Sequence, residues 1–241
     1  MEKETKMIGG RACTLCRNGQ PKWLLIQPVD DHDLERLDGE VADMVQGGAT
    51  DFLLAAFRVD DWMDELTPWP APPTYSRQPF GEGAAETLRY VLDELLPALE
   101  SDLTGDTDDC PHDGSSFPPD HCILTGYSLA GFFALWAATQ TDRFGGVAGV
   151  SASVWYPRFL DYAVEHPLRS PRVYLSIGDK ERKARNALMA SNQTCMELLT
   201  TRLKDEGRDA IMELNPGNHF MDTDHRVARG FLWLMGQNAN E

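Results

Sequence analysis

Short apolar runs alternate with amphipathic stretches along most of this 241-residue chain, and that alternation limits the possible fold more than any other feature. "KWLLIQP" (22–28) is an apolar run ending in proline, the pattern of a strand covered on both faces. "DHDLERLDGEVADMVQGG" (31–48) opens on acidic residues, spaces Leu34, Leu37, Val41 and Val45 along one helical face, and ends on glycines. The strand-then-helix unit recurs. "FLLAAF" (52–57) precedes a helix over 82–100 that buries Leu88, Leu92, Leu95 and Leu99; "CILTG" (122–126) precedes a helix carrying Phe132, Phe133 and Trp136. "GGVAGVS" (145–151) and "RVYLSIG" (172–178) read as further strands, followed by a helix over 184–206 with Met189, Met196, Leu199 and Leu203 inward. "AIMEL" (210–214) and a closing helix over 224–236 complete the series. Alternating strands and helices pair in parallel, because right-handed crossovers put helices on both faces of one sheet. The expectation is a single three-layer α/β domain over 1–241, with residues 1–20 an N-terminal hairpin turning at "RNGQ" (17–20).

Two stretches break the alternation. Residues 60–83 form a proline-rich connection containing Trp62 and Trp69, and the tryptophans argue for an ordered loop beside a site. Residues 101–120 are polar, acidic and rich in Gly and Pro, the composition of a flexible surface loop.

Charge removes whole classes of partner. With 38 acidic against 22 basic residues, the formal charge of −16 repels nucleic acid and anionic lipid surfaces. The N-terminus lacks the apolar core of a secretory signal and no apolar run is long enough to span a bilayer, so a cytoplasmic protein is expected. Five cysteines then read as reduced thiols. Cys13 and Cys16 make a C-x-x-C pair, but Cys110, His112 and Cys122 lie far along the chain without paired spacing, so no metal is expected.

"GYSLAG" (126–131) stands where a strand gives way to a helix. A serine on such a sharp turn needs small residues two positions before and after it, here Gly126 and Ala130, and the turn lifts its hydroxyl above the carboxyl edge of the sheet. A hydroxyl becomes nucleophilic when a base takes its proton, and the base needs an orienting acid. Chain order in such folds runs serine, acid, histidine. The acid is offered by Asp179 or Glu181 in the loop after "VYLSIG", and the base by His219 in "NPGNHF" after the last strand. Ser151 and Ser153 follow a strand without the glycine setting and read as pocket wall. An oxyanion would be held by the backbone N–H of Leu129 and by one from "QPVDD", first Val29 and then Asp30, because Pro28 has none.

Taken together, "GYSLAG", "SASVWYP", "LSIGDKE", "NPGNHF" and "DELTPWP" resemble the esterases of the α/β-hydrolase superfamily that include esterase D and the enterobactin-type siderophore esterases, over about residue 20 to the end. The resemblance implies a Ser-His-acid hydrolase without cofactor, and the 91 residues from Ser128 to His219 (219 − 128) are too few for a large inserted cap. It assigns Ser128 as nucleophile, His219 as base and, through G-x-x-E, Glu181 as acid. It also puts the aromatic of "SASVWYP", Trp155, near the pocket, to which Tyr127, Trp62 and Trp69 are added from their positions. The expected activity is cleavage of a carboxylic ester with a small or medium acyl or aryl group. Acyl transfer on the same scaffold, a siderophore-type esterase and a non-catalytic binding protein are the alternatives. Trp62 and Trp69 would equally suit a contact with a second subunit of a homo-oligomer.

Overall fold

The computed structural model describes residues 1–104 and 117–237. Cys110 and His112, with most of the acidic loop expected at 101–120, lie outside the described residues. In chain order the elements are β1 (Glu2–Ile8), β2 (Arg11–Asn18), β3 (Trp23–Val29), α1 (Asp31–Gln46), β4 (Phe52–Arg58), α2 (Trp62–Glu65), α3 (Ala84–Tyr90) and α4 (Leu96–Thr104). There follow β5 (Cys122–Tyr127), α5 (Leu129–Gln140), β6 (Gly146–Val150), α6 (Phe159–Glu165), β7 (Arg172–Gly178), α7 (Ala187–Ala190), α8 (Asn192–Asp205), β8 (Asp209–Asn215) and α9 (Thr223–Leu234).

One eight-stranded sheet in the order β1-β2-β4-β3-β5-β6-β7-β8 organises them all. From β4 to β8 every pairing is parallel; β1 and β2 join antiparallel at one edge. Because successive side chains point to opposite faces of a strand, each apolar run feeds two cores. Leu24, Ile26, Leu53, Ala55 and Phe57 pack under α3, α4, α5 and α8, whereas Leu25, Phe52, Leu54 and Ala56 pack under α1 and α9. This is the three-layer α/β-hydrolase arrangement. Among the described residues, no helix is long and apolar enough to cross a membrane.

Several local expectations are corrected. The N-terminal hairpin turns at Gly9 (φ +54°) and Gly10 (φ +83°), not at "RNGQ". Two consecutive glycines accept left-handed angles without cost and give the turn whose twist suits a two-residue hairpin. "RNGQ" instead leads out of β2, which pairs with β4 rather than with the next strand. On α1, Met44 is buried with Leu37 and Val41, while Val45 is 44% exposed: 3.6 residues per turn brings the third residue after Val41 inward. The helix expected over 82–100 is α3 and α4, joined by a π-helical turn at Val91–Leu95. The helix expected over 184–206 is broken, with Asn186 capping α7 and α8 starting at Asn192. The Asn192 amide explains the second start, since it donates to Ala152 O (2.9 Å) and accepts from Trp155 N (3.2 Å), tying that end of α8 to the turn after β6. Cys13 and Cys16 are three residues apart on β2 and so enter opposite cores, out of reach of a shared ligand.

Candidate active site

The carboxyl ends of the parallel strands converge on a cleft of about 570 Å³. At the end of β5, Ser128 has φ 58° and ψ −117° and directly precedes the first residue of α5. A non-glycine residue with this backbone is strained, and the strain persists because its surroundings enforce it. Ser128 N–H donates to Val150 O (2.9 Å), while Ser128 O accepts from Phe132 N (3.0 Å) and Ser153 N (3.1 Å). The small neighbours are sterically required: a Cβ on Gly126 would lie 2.3 Å from the carbonyl carbon of Ala130, and one on Gly131 would lie 2.6 Å from Gly126 O. Ala130 replaces a second glycine at no cost because bare Gly126 leaves room for its methyl group.

Two other strand ends bring their loops to Ser128. After β8, the loop through Gly217 (φ +106°) carries His219, and Asp179 Oδ1 accepts from Gly217 N (2.8 Å) to hold it. After β7, Glu181 is buried. His219 Nδ1 lies 2.8 Å from Glu181 Oε2, and His219 Nε2 lies 3.1 Å from Ser128 Oγ. Burial pushes the Glu181 carboxyl up. Hydrogen bonding and charge from His219, the Gly178 N–H and the Ser151 hydroxyl outweigh it and leave the group below the ordinary glutamate value. An ionised Glu181 only accepts, so Nδ1 carries the proton and Nε2 is left free to accept from the Ser128 hydroxyl.

The other Glu181 oxygen is equally well satisfied. Oε1 accepts from Ser151 Oγ (2.7 Å) and Gly178 N (2.8 Å), and the buried Arg226 guanidinium lies 3.7 Å away. Tyr127 Oη donates to His219 O (2.7 Å) and accepts from Arg226 (3.3 Å), locking the histidine loop from below. Both Glu181 oxygens and both His219 ring nitrogens are thus engaged, which fixes the imidazole before any substrate arrives.

The model of the family described as "Putative esterase" matches residues 58–228. The chain belongs to this esterase family. A protein of Bacillus subtilis (strain 168), described as "Uncharacterized protein YbbA", is 22% identical over 199 residues, covering 79% of this chain and 76% of its own. An IroE-like serine hydrolase from Shewanella oneidensis superposes with a TM-score of 0.74 at 13% identity, over 95% of this chain and 78% of that one. The enterobactin esterase of Shigella flexneri superposes at 0.67 with 15% identity, over 98% of this chain and 60% of the other. Identities this low speak for the shared fold.

In this esterase the cleft is lined by Ser128, His219 and Glu181, with Tyr127, Trp62 and Trp155 among its walls. Trp69, also expected in the pocket, lies behind it. Its indole donates to Pro157 O (2.9 Å) and its ring packs on Tyr156 and Tyr162, because an indole with its N–H bonded inside the fold is worth more as a brace for the 60–83 loop. Asp179, the alternative acid, touches Gly217 and not His219. Val29 is displaced as second oxyanion donor. Its carbonyl accepts from Val59 N (3.0 Å), and since both backbone groups of a strand residue in a parallel sheet face the same neighbour, its N–H is turned toward β4 and away from Ser128. Asp30, one residue on, faces the cleft, with its N–H engaged only by Asp33 Oδ2 at 3.4 Å. Ser153 lines the cleft, but Ser151 is fully buried on Glu181 and is not pocket wall.

Sequence reasoning missed Arg226, Asn192 and Tyr75, the last of which lines the cleft, and gave Ser151 to the pocket wall rather than to Glu181. Arg226 sits on a helix whose pattern gives no hint that its guanidinium is enclosed. Ser151 carried a signal, a small polar residue at the end of a parallel strand, but not the direction of its side chain.

Proposed function

We propose that this esterase hydrolyses a carboxylic ester of small or medium acyl or aryl group through an acyl-enzyme on Ser128. The observation that carries the reading is the unbroken row Glu181–His219–Ser128, with separations of 2.8 and 3.1 Å, at the floor of an open cleft. His219 Nε2 takes the Ser128 proton as Oγ attacks the ester carbonyl. Glu181 stabilises the imidazolium that forms and does not itself take the proton. The carbonyl oxygen, now an oxyanion, is held by Leu129 N–H, which is unpaired at the start of α5, and by Asp30 N–H. No acidic residue occupies the first turn of α5, so nothing there opposes the negative charge. The imidazolium returns its proton to the departing alcohol. Water then repeats the sequence on the acyl group, releasing the acid and restoring Ser128.

Trp62 and Trp155 give the cleft flat apolar walls suited to an aryl or short acyl group. Measured on nitrophenyl acetate and butyrate, Ser128→Ala should lower kcat by about 10³-fold or more while its circular dichroism stays that of the parent. Undiminished turnover would remove Ser128 from the mechanism.

A further inference from the structure

The chain has six lysines, and four of them are accounted for. Lys3, Lys6 and Lys22 are ion-paired with Asp38, Asp102 and Asp51, and Lys204 sits in the last turn of α8, where a cation is favoured by the helix dipole. The remaining two, Lys180 and Lys183, both line the catalytic cleft, and neither has an anionic partner among the described residues. Nearby acids are engaged elsewhere in the site. Asp179 Oδ1 is bonded to Gly217 N and both oxygens of Glu181 are bonded within the site, and neither acid lies within ion-pair distance of Lys180 or Lys183. The backbone of this segment is held in place: Lys180 N donates to Gly217 O (3.0 Å) in the loop that carries His219, and Lys183 N donates to Lys180 O (3.0 Å) within its own turn.

The opposite wall has the reverse charge. Asp30 and Asp33 face the cleft from the turn between β3 and α1. In a chain of net charge −16, two unpaired cations facing two carboxylates across one cleft make a local field opposite to that of the whole molecule on one side only. A neutral ester has no use for that polarity, whereas an ester with a negatively charged group is drawn to the lysine wall and turned away from the aspartate wall.

Resting on the hydrolase reading above, we infer that the substrate carries an anionic group, such as a carboxylate, which Lys180 and Lys183 bind at the cleft rim. The lysines act as specificity-determining residues, placing the ester so that its carbonyl meets Ser128.

Two pairs of esters test this and locate the charge. 4-Nitrophenyl butyrate against the 4-nitrophenyl monoester of succinic acid puts the charge on the acyl side. Phenyl butyrate against 4-carboxyphenyl butyrate puts it on the alcohol side. The quantity read is the ratio of kcat/KM, charged over neutral, in each pair. In Lys180→Gln/Lys183→Gln this ratio should fall about tenfold in one pair, mostly through KM, since one exposed ion pair is worth up to about fivefold. Lys180→Arg/Lys183→Arg should retain it, as should Lys204→Gln. Lys180→Glu alone, a change at an exposed side chain, should lower it further. A ratio within twofold of the parent in both pairs for the double glutamine variant would overturn the inference. If the parent hydrolyses none of the four esters, or Ser128→Ala still hydrolyses them, the hydrolase reading itself falls.

Discussion

The turns that end β5 and β6 lie side by side in the sheet, and each places a serine at positive φ, Ser128 at 58° and Ser151 at 44°. Their fates differ. Ser128 is flanked by Gly126 and Gly131, opens onto the cleft and faces His219 Nε2; Ser151 is sealed beneath it and donates to Glu181. A strained strand-end serine is therefore not enough to identify a nucleophile. What separates the two is the partner, a free imidazole nitrogen in one case and an ionised carboxylate in the other.

The comparison can be broken by exchanging the roles. Ser128→Ala is expected to cost about 10³-fold or more in kcat, and a Ser151→Ala loss of similar size would mean that the two turns are not functionally distinct. Glu181→Gln should come next, at roughly 10²- to 10⁴-fold, because a neutral amide neither holds Nδ1–H in place nor stabilises the imidazolium. Steady-state rates on nitrophenyl butyrate measure both. Gly126→Ala probes the steric side of the elbow. The added methyl meets Ala130 at 2.3 Å, so about 1–3 kcal/mol of stability should be lost, visible as a fall of several degrees in Tm.

Ser151→Ala itself should act mildly on rate and visibly on acid stability. Glu181 has a depressed value in the fold, so its stabilisation is full at neutral pH and is lost as pH falls through that value. Removing the Ser151 donor raises the value, and the acid-unfolding midpoint followed by circular dichroism should move to higher pH. Glu40, buried on α1, works in the opposite sense. Burial pushes its carboxyl well above the ordinary range, it accepts only from Gln27 Nε2 (3.3 Å), and Oε1 has no partner among the described residues. The folded state therefore keeps a proton that the unfolded chain gives up, and stability declines as pH rises above the unfolded value. Glu40→Gln should leave Tm little changed at pH 5 and raise it by about 3 °C at pH 8.

The sheet was legible because strand and helix periods are local, and the order of Ser128, Glu181 and His219 followed from which strand each residue comes after. The details that escaped depend on register and direction. Whether Val29 or Asp30 offers its N–H to the cleft turns on which neighbouring strand the last residue of β3 faces, and apolar patterning is blind to that. Trp69 and Trp62 are equally aromatic in sequence, and only the path of the 60–83 loop sends one into the fold and the other to the cleft. "RNGQ" lost the hairpin to Gly9 and Gly10 because β2 pairs with β1 through that turn and with β4, not with its successor.

The central claim is that Ser128, and not Ser151, forms the covalent intermediate. Labelling with a fluorophosphonate, followed by digestion and mass spectrometry, reads it directly. The expected result is one adduct, on the peptide containing Ser128, present in Ser151→Ala and absent in Ser128→Ala. An adduct on the Ser151 peptide, or none on the folded parent, would contradict the account.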